Sequence, residues 1–216
     1  MRKKTINILF LCLIAANLMQ PSVLAADEVN ITPHMSSIEI DYQGKKISIE
    51  RIQDQENKLT NSFSKTSRKC PPFCIQPTSV APGVETVSEI DLLYFLTTRV
   101  KDKTGLLIDA RVKSFYTRGT IPGSVNIPFN VFSKDTADPA FAAAMKQVGA
   151  KEKSMGKWDF TDAKPLILWC NGPWCGQSPH AIKALLSLGY PASLLQYYRG
   201  GMQMWQILGL TTVPGK

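Results

Sequence analysis

Cys170 closes a short apolar run, Leu166-Ile-Leu-Trp169, and is followed by Asn171-Gly-Pro-Trp-Cys-Gly-Gln-Ser178. The run reads as a buried strand and the stretch rich in glycine and proline as a tight loop. Residues 178–188 read as an amphipathic helix carrying Ile182, Leu185, Leu186 and Leu188. Ser178 suits the N-cap, Pro179 the first helical position and Gly189 the left-handed position past the end. A cysteine between a strand end and a helix N-terminus is placed to ionise. A free thiol titrates near ~8.5, and loop amides with the positive helix end lower that value. The chemistry open to such a thiolate is nucleophilic attack, with the backbone amides of residues 171–178 cradling an anion. The plainer alternative is a core cysteine that merely ends a strand. Gly172, Pro173 and Gly176 leave the loop backbone accessible and favour chemistry. The expectation is therefore a Cys170 sulfur that is open, charged and ringed by peptide nitrogens.

Three further cysteines bear on that site. Cys175 lies in the same loop, close enough for a disulfide if the chain folds back, and would then be a resolving thiol. Cys70-Pro-Pro-Phe-Cys74 places three residues between its cysteines, against two in the thioredoxin-type motif. A structural bridge is its first reading, a redox role its second and a metal site its third. His34 and His180 are the only histidines, and neither is close enough in sequence to complete a zinc set. Four cysteines allow three connectivities, two inert bridges among them.

The elements that must position these residues follow from the order of patterns along 216 residues, of which 44% are hydrophobic. Residues 1–25 have the form of a secretory signal peptide: Arg2-Lys-Lys4, an apolar run and Val23-Leu24-Ala25 as cleavage site. The run is too short to span a membrane. Its removal takes three positive charges from the formal +8, leaving +5. The lysines are scattered, which argues against nucleic acid and leaves a small acidic substrate as the better partner. Residues 26–66 form an extension. Ile38, Ile40 and Tyr42 alternate before Gln43-Gly44, and Ile47 and Ile49 after it. A two-residue turn there pairs Ile40 with Ile47, Ile38 with Ile49 and Asp41 with Lys46. Residues 54–69 read as a linker, and residues 67–82 as a connector rich in cysteine and proline.

From residue 83 onward short strands alternate with helices. Strands are expected at 84–87, 106–110, just before Pro128, at 165–170 and at 192–196. Helices are expected at 89–97, 138–148 and 178–188, with short turns after Arg111 and Arg199. That alternation predicts an α/β fold, a parallel sheet with helices on both faces. Ligands of such sheets bind beyond the carboxyl ends of the strands, where Cys170, Asp109, Arg111 and Arg199 all fall.

These motifs together resemble a single rhodanese domain of the thiosulfate sulfurtransferase family. The matching stretches are Leu106-Leu-Ile-Asp-Ala-Arg111, Gly119-Thr-Ile-Pro-Gly-Ser-Val-Asn-Ile-Pro128, the strand-Cys170-loop-helix unit, and Leu188-Gly-Tyr190 through Arg199-Gly-Gly-Met-Gln-Met-Trp205. The resemblance spans roughly residues 83–213 and implies a rhodanese-like domain at 83–216, with no cofactor and no resident metal. It implies that Cys170 takes the outer sulfur of thiosulfate as a persulfide and passes it to a thiol or cyanide. Residues Asn171, Gly172, Pro173, Trp174, Gly176, Gln177 and Ser178 would hold the anionic donor, with Arg199 lending charge at the mouth. Asp109 and Arg111 would brace the loop. Three departures stand out: the loop is longer than the usual cradle by about two residues, it holds no Arg or Lys, and Thr120 replaces a common histidine. Phosphatases sharing the fold need a late arginine where Gly176-Gln177 stand, so phosphate-ester hydrolysis is disfavoured. The alternatives are a periplasmic thiol–disulfide protein using Cys170 and Cys175 with a redox partner, and a binding module of the same fold without catalysis. Either way the expected location is the periplasm, with no membrane contact after processing.

Overall fold

The computed structural model describes residues 28–154 and 156–216. The leader read from residues 1–25 lies outside the described residues. The chain opens with a hairpin, β1 (Ser37–Tyr42) and β2 (Lys45–Glu50). Ile38 faces Ile49, Ile40 faces Ile47 and Asp41 faces Lys46, the register that the alternation predicts. Gln43 and Gly44 both take positive φ (52° and 76°), as a turn matching the strand twist requires. Ile40 and Ile49 are buried against the main body, each contributing roughly 1.5–3 kcal/mol. Beyond β2 the backbone pairs with the carboxyl-terminal segment, through Ile52 N–H to Gly209 C=O (2.8 Å) and Thr211 N–H to Glu50 C=O (3.1 Å).

The main body follows in the order β3 (Glu85–Val87), α1 (Glu89–Phe95), β4 (Leu106–Asp109), α2 (Lys113–Arg118), β5 (Ser124–Asn126), α3 (Pro139–Gln147), β6 (Lys151–Ser154), β7 (Lys157–Asp159), β8 (Leu166–Trp169), α4 (Gln177–Ser187), β9 (Leu195–Tyr198) and α5 (Gly201–Ile207). Five strands form one sheet in the order β3-β9-β8-β4-β5, and every neighbouring pair is parallel. Both faces are covered, so successive strand residues enter different cores. Leu166 and Leu168 join α3 and α4 on one side; Ile167 and Trp169 join α1, α5 and the hairpin on the other. Ser88 starts α1 by donating its backbone N–H to the Asp91 carboxylate at 2.9 Å.

Several local expectations shift. The last strand begins at Leu195, because Pro191 opens a 3-10 turn over Ala192–Leu194 where a strand was expected. Helix α1 ends at Phe95 and continues as one π turn, Leu96–Val100. Strands β6 and β7, a small antiparallel pair, arise where no sequence pattern stood out. The stretch taken as a linker contains a 3-10 turn, Ser62–Ser64, capped by Asn61, and folds back over the carboxyl end of the sheet. Gly189 has positive φ (92°) past the end of α4, as anticipated. Ser178 is not the N-cap of α4. Gly176 holds that position, and Ser178 is buried as the second residue of the helix.

Candidate active site: a two-cysteine loop and its roof

The loop between β8 and α4 is anchored from below by α5. Met202 N–H bonds the Cys170 carbonyl and Gln203 N–H the Asn171 carbonyl, both at 2.9 Å. This close approach needs Gly201, since a Cβ there would collide with the Cys170 carbonyl oxygen and the Gly172 nitrogen. A tight turn follows, closed by Cys175 N–H to Gly172 C=O at 2.9 Å. It folds Cys175 back over Cys170.

The expectation of an open, charged Cys170 is overturned. Cys170 is 2% exposed, and its thiol donates to the Cys175 carbonyl at 3.2 Å while accepting from Ser178 Oγ at 3.2 Å. Burial, reinforced by the neighbouring Cys175, pushes its pKa well above the ordinary thiol value. A strand end inside a sheet covered on both faces is dry, and this sulfur meets a carbonyl, a hydroxyl and the single Ser178 amide in place of a ring of amides.

Cys175 is shifted the other way, down to about 7. The neighbouring Cys170 thiol lowers it most; burial opposes this, and the Asn171 and Gln177 backbone amides and the Asn171 side chain add to the lowering. Asn171 Nδ2 lies 3.8 Å from Cys175 Sγ, and Cys175 directly precedes the Gly176 N-cap, at the positive end of α4. Both cysteines are free and titrate as a coupled pair, with Cys175 lowered and Cys170 raised.

Cys175 also lines a cavity of about 340 Å³, together with Asn171, Trp174, Gly176 and Gln177 from the loop, Phe115 from α2, and Phe63, Arg68 and Phe73 from the extension. Trp174 is the centre of the roof. Its Nε1 donates to Gln203 Oε1 (2.6 Å), Phe73 meets it edge-on at 5.5 Å, and the Arg68 guanidinium stacks 3.8 Å from its ring centre. Arg68 thus places a cation beside a loop that has none of its own. Arg199, expected at the mouth, instead donates Nε and Nη2 to the Gln76 carbonyl (3.2 and 2.9 Å) and fastens the extension. Cys70 and Cys74 are joined by a disulfide on the solvent side of that extension.

Asp109 and Arg111 are buried and bonded through Nε (2.9 Å) and Nη2 (2.6 Å), with Thr120 Oγ donating to the same carboxylate at 2.9 Å. The Arg111 guanidinium lies 4.6 Å from the Trp169 ring centre, so the pair supports the strand end that carries Cys170. Thr120 is a structural partner of the pair. Arg68, Phe63 and Phe73 carry no sequence signal of their own. A polar stretch gives no hint of where it docks, although the nearby Cys70/Cys74 bridge marks an ordered segment.

The sequence profile described as a rhodanese-like domain matches residues 95–208. The chain belongs to the rhodanese-like domain family. Its five-stranded parallel sheet with an added amino-terminal hairpin is the rhodanese-like α/β fold. No curated protein matches the chain at a significant level. Solved structures similar to this rhodanese-like chain include the human single-domain sulfurtransferase, 26% identical over 57% of this chain and 96% of its own, with a TM-score of 0.39. An uncharacterized protein of Saccharomyces cerevisiae is 27% identical over 58% and 93%, with a TM-score of 0.40. A thiosulfate sulfurtransferase of Pseudomonas aeruginosa is 17% identical, with a TM-score of 0.40, and the match covers 62% of this chain but 21% of that one.

Proposed function

We propose that this rhodanese-like protein is a sulfurtransferase that moves sulfane sulfur from thiosulfate or a similar donor to a thiol or cyanide. Cys175, and not Cys170, is the sulfur-accepting nucleophile. The observation that carries the reading is the position of Cys175, which lines the cavity directly before the N-cap of α4 and beside Asn171 Nδ2, donors that lower its pKa. Its thiolate attacks the outer sulfur of thiosulfate, the S–S bond breaks, and sulfite leaves with the bonding pair, giving a Cys175 persulfide. Arg68 and the positive end of α4 offset the repulsion between two anions. An acceptor thiolate or cyanide then takes the outer sulfur and restores the Cys175 thiolate.

Cys170 supports a second outcome, thiol–disulfide chemistry, because the turn folds Cys175 back over it and its thiol donates to the Cys175 carbonyl. Attack of the Cys170 sulfur on the inner sulfur of the persulfide releases hydrosulfide and leaves a Cys170–Cys175 disulfide. In this reading residues 1–25 are an export signal, 26–66 and 67–82 an extension and connector that roof the site, and 83–216 the transfer domain. The periplasm is supported by the charged and apolar leader and by the Cys70–Cys74 disulfide, a bond that persists in oxidising compartments. The test is to incubate the mature protein with thiosulfate and locate the added sulfur by peptide mass. One sulfur on Cys175, retained in Cys170→Ser, is expected. No added sulfur, or sulfur on Cys170 alone, overturns the assignment.

A further inference from the structure

The molecule holds two cysteine pairs in opposite states next to each other. The loop pair is reduced and buried, with Cys170 2% and Cys175 5% exposed, beneath the roof of Phe73, Trp174 and Arg68. A small anion can reach the cavity, but a folded protein thiol cannot reach these sulfurs. The Cys70–Cys74 pair is oxidised and lies on the solvent side of the same roof, with Cys70 exposed and Cys74 half-buried.

The two pairs are linked through contacts between the segments that carry them. Gln76, two residues beyond Cys74, donates its backbone N–H to the carbonyl of Pro173, two residues before Cys175, at 2.7 Å. The Gln76 side chain bonds the Cys74 carbonyl at 2.9 Å and lies against Gly176. Phe73, inside the disulfide-closed turn, packs on Trp174, which adjoins Cys175. A staple that served stability alone would not need its closed turn on the loop that carries the nucleophile.

We propose that Cys70 and Cys74 are a redox relay, passing electrons from an external protein dithiol to a Cys170–Cys175 disulfide. The proposal rests on the sulfur-transfer reading only for the source of that oxidised pair. An external thiolate attacks the exposed Cys70–Cys74 bond, and its second thiol resolves the mixed disulfide. The external pair leaves oxidised and Cys70 and Cys74 leave as thiols. One of these, as a thiolate, attacks the Cys175 sulfur, which lines the cavity, and expels the Cys170 thiolate, which takes up a proton. The other extension thiol, deprotonated, then attacks its own partner in the resulting mixed disulfide and releases the Cys175 thiolate. Two electrons and one proton pass inward, Cys175 is left as its thiolate, and the Cys70–Cys74 bond reforms.

The test needs no sulfur donor. The mature protein is oxidised with diamide, and reduction of the Cys170–Cys175 bond is followed with reduced thioredoxin or with tris(2-carboxyethyl)phosphine. Cys70→Ser/Cys74→Ser is expected to slow reduction by thioredoxin roughly tenfold or more, while the small phosphine acts within about twofold of its normal rate. An unchanged thioredoxin rate overturns the relay. A trapping experiment guards against damage to the roof: Cys70→Ser/Cys170→Ser leaves Cys74 with Cys175, and Cys74→Ser/Cys170→Ser leaves Cys70 with Cys175. An intramolecular bond to Cys175 in either variant supports the relay, and its absence in both overturns it. Sulfur uptake from thiosulfate is read separately, so failure of the relay and failure of the sulfurtransferase reading are distinguishable.

Discussion

Cys170 ends a buried strand and Cys175 precedes a helix, and one tight turn between them separates a thiol whose pKa is raised from one whose pKa is lowered. The two share a loop, are both nearly inaccessible by area, and differ in what faces the sulfur. Cys170 meets a carbonyl, a hydroxyl and one amide within the dry end of a covered sheet. Cys175 meets a thiol, two amides and the start of α4, and it borders a cavity. Low exposure therefore does not by itself decide ionisation. Donors directed at the sulfur outweigh burial for Cys175, and burial wins for Cys170.

The most severe way to break this contrast is Cys175→Ser, which leaves Cys170 as the one loop thiol. Single-turnover sulfur uptake from thiosulfate should fall by about a hundredfold or more, because a neutral hydroxyl without a base is a poor nucleophile. Uptake surviving on Cys170 would reverse the assignment. Titration comes next. A depressed pKa means the thiolate is present above about 7 and lost as pH falls through it. Alkylation of Cys175 should therefore rise about tenfold from pH 6 to pH 8, while Cys170 stays unlabelled throughout. Mass mapping after iodoacetamide would read both sites in one sample.

Smaller changes sharpen the comparison. Cys170→Ala removes the largest influence lowering Cys175, so the midpoint of its alkylation profile should move above 7, reducing the rate at pH 7 by roughly threefold. A profile that does not move would show that the amides and helix suffice. Ser178→Ala removes the hydroxyl that donates to Cys170 and reaches Cys175 only through that thiol. It should cost about 1 kcal/mol in urea unfolding and move the alkylation profile of Cys175 less than Cys170→Ala does.

How much was legible depends on the range of the interactions. The hairpin register was readable because alternation and a two-residue turn are local, and Ile38, Ile40, Ile47 and Ile49 admit one pairing that buries one face. The strand-loop-helix unit around Cys170 was readable for the same reason. Its first helical turn was misread, since Ser178 looks like a cap until the fold of the loop puts it beside Cys170 Sγ. The docking of Arg68 on Trp174 was not readable, because it joins residues far apart through a segment without periodicity.

The amino-acid order alone determined the alternating α/β layout, the hairpin, and the placing of two cysteines between a strand and a helix, all consequences of short-range patterning. Only the tertiary structure decided which sulfur is charged, that Arg199 fastens the extension, and that Arg68 is the cation of the cavity. Ionisation depends on burial and on donors brought together from distant parts of the chain, and neither exists until the chain has closed on itself.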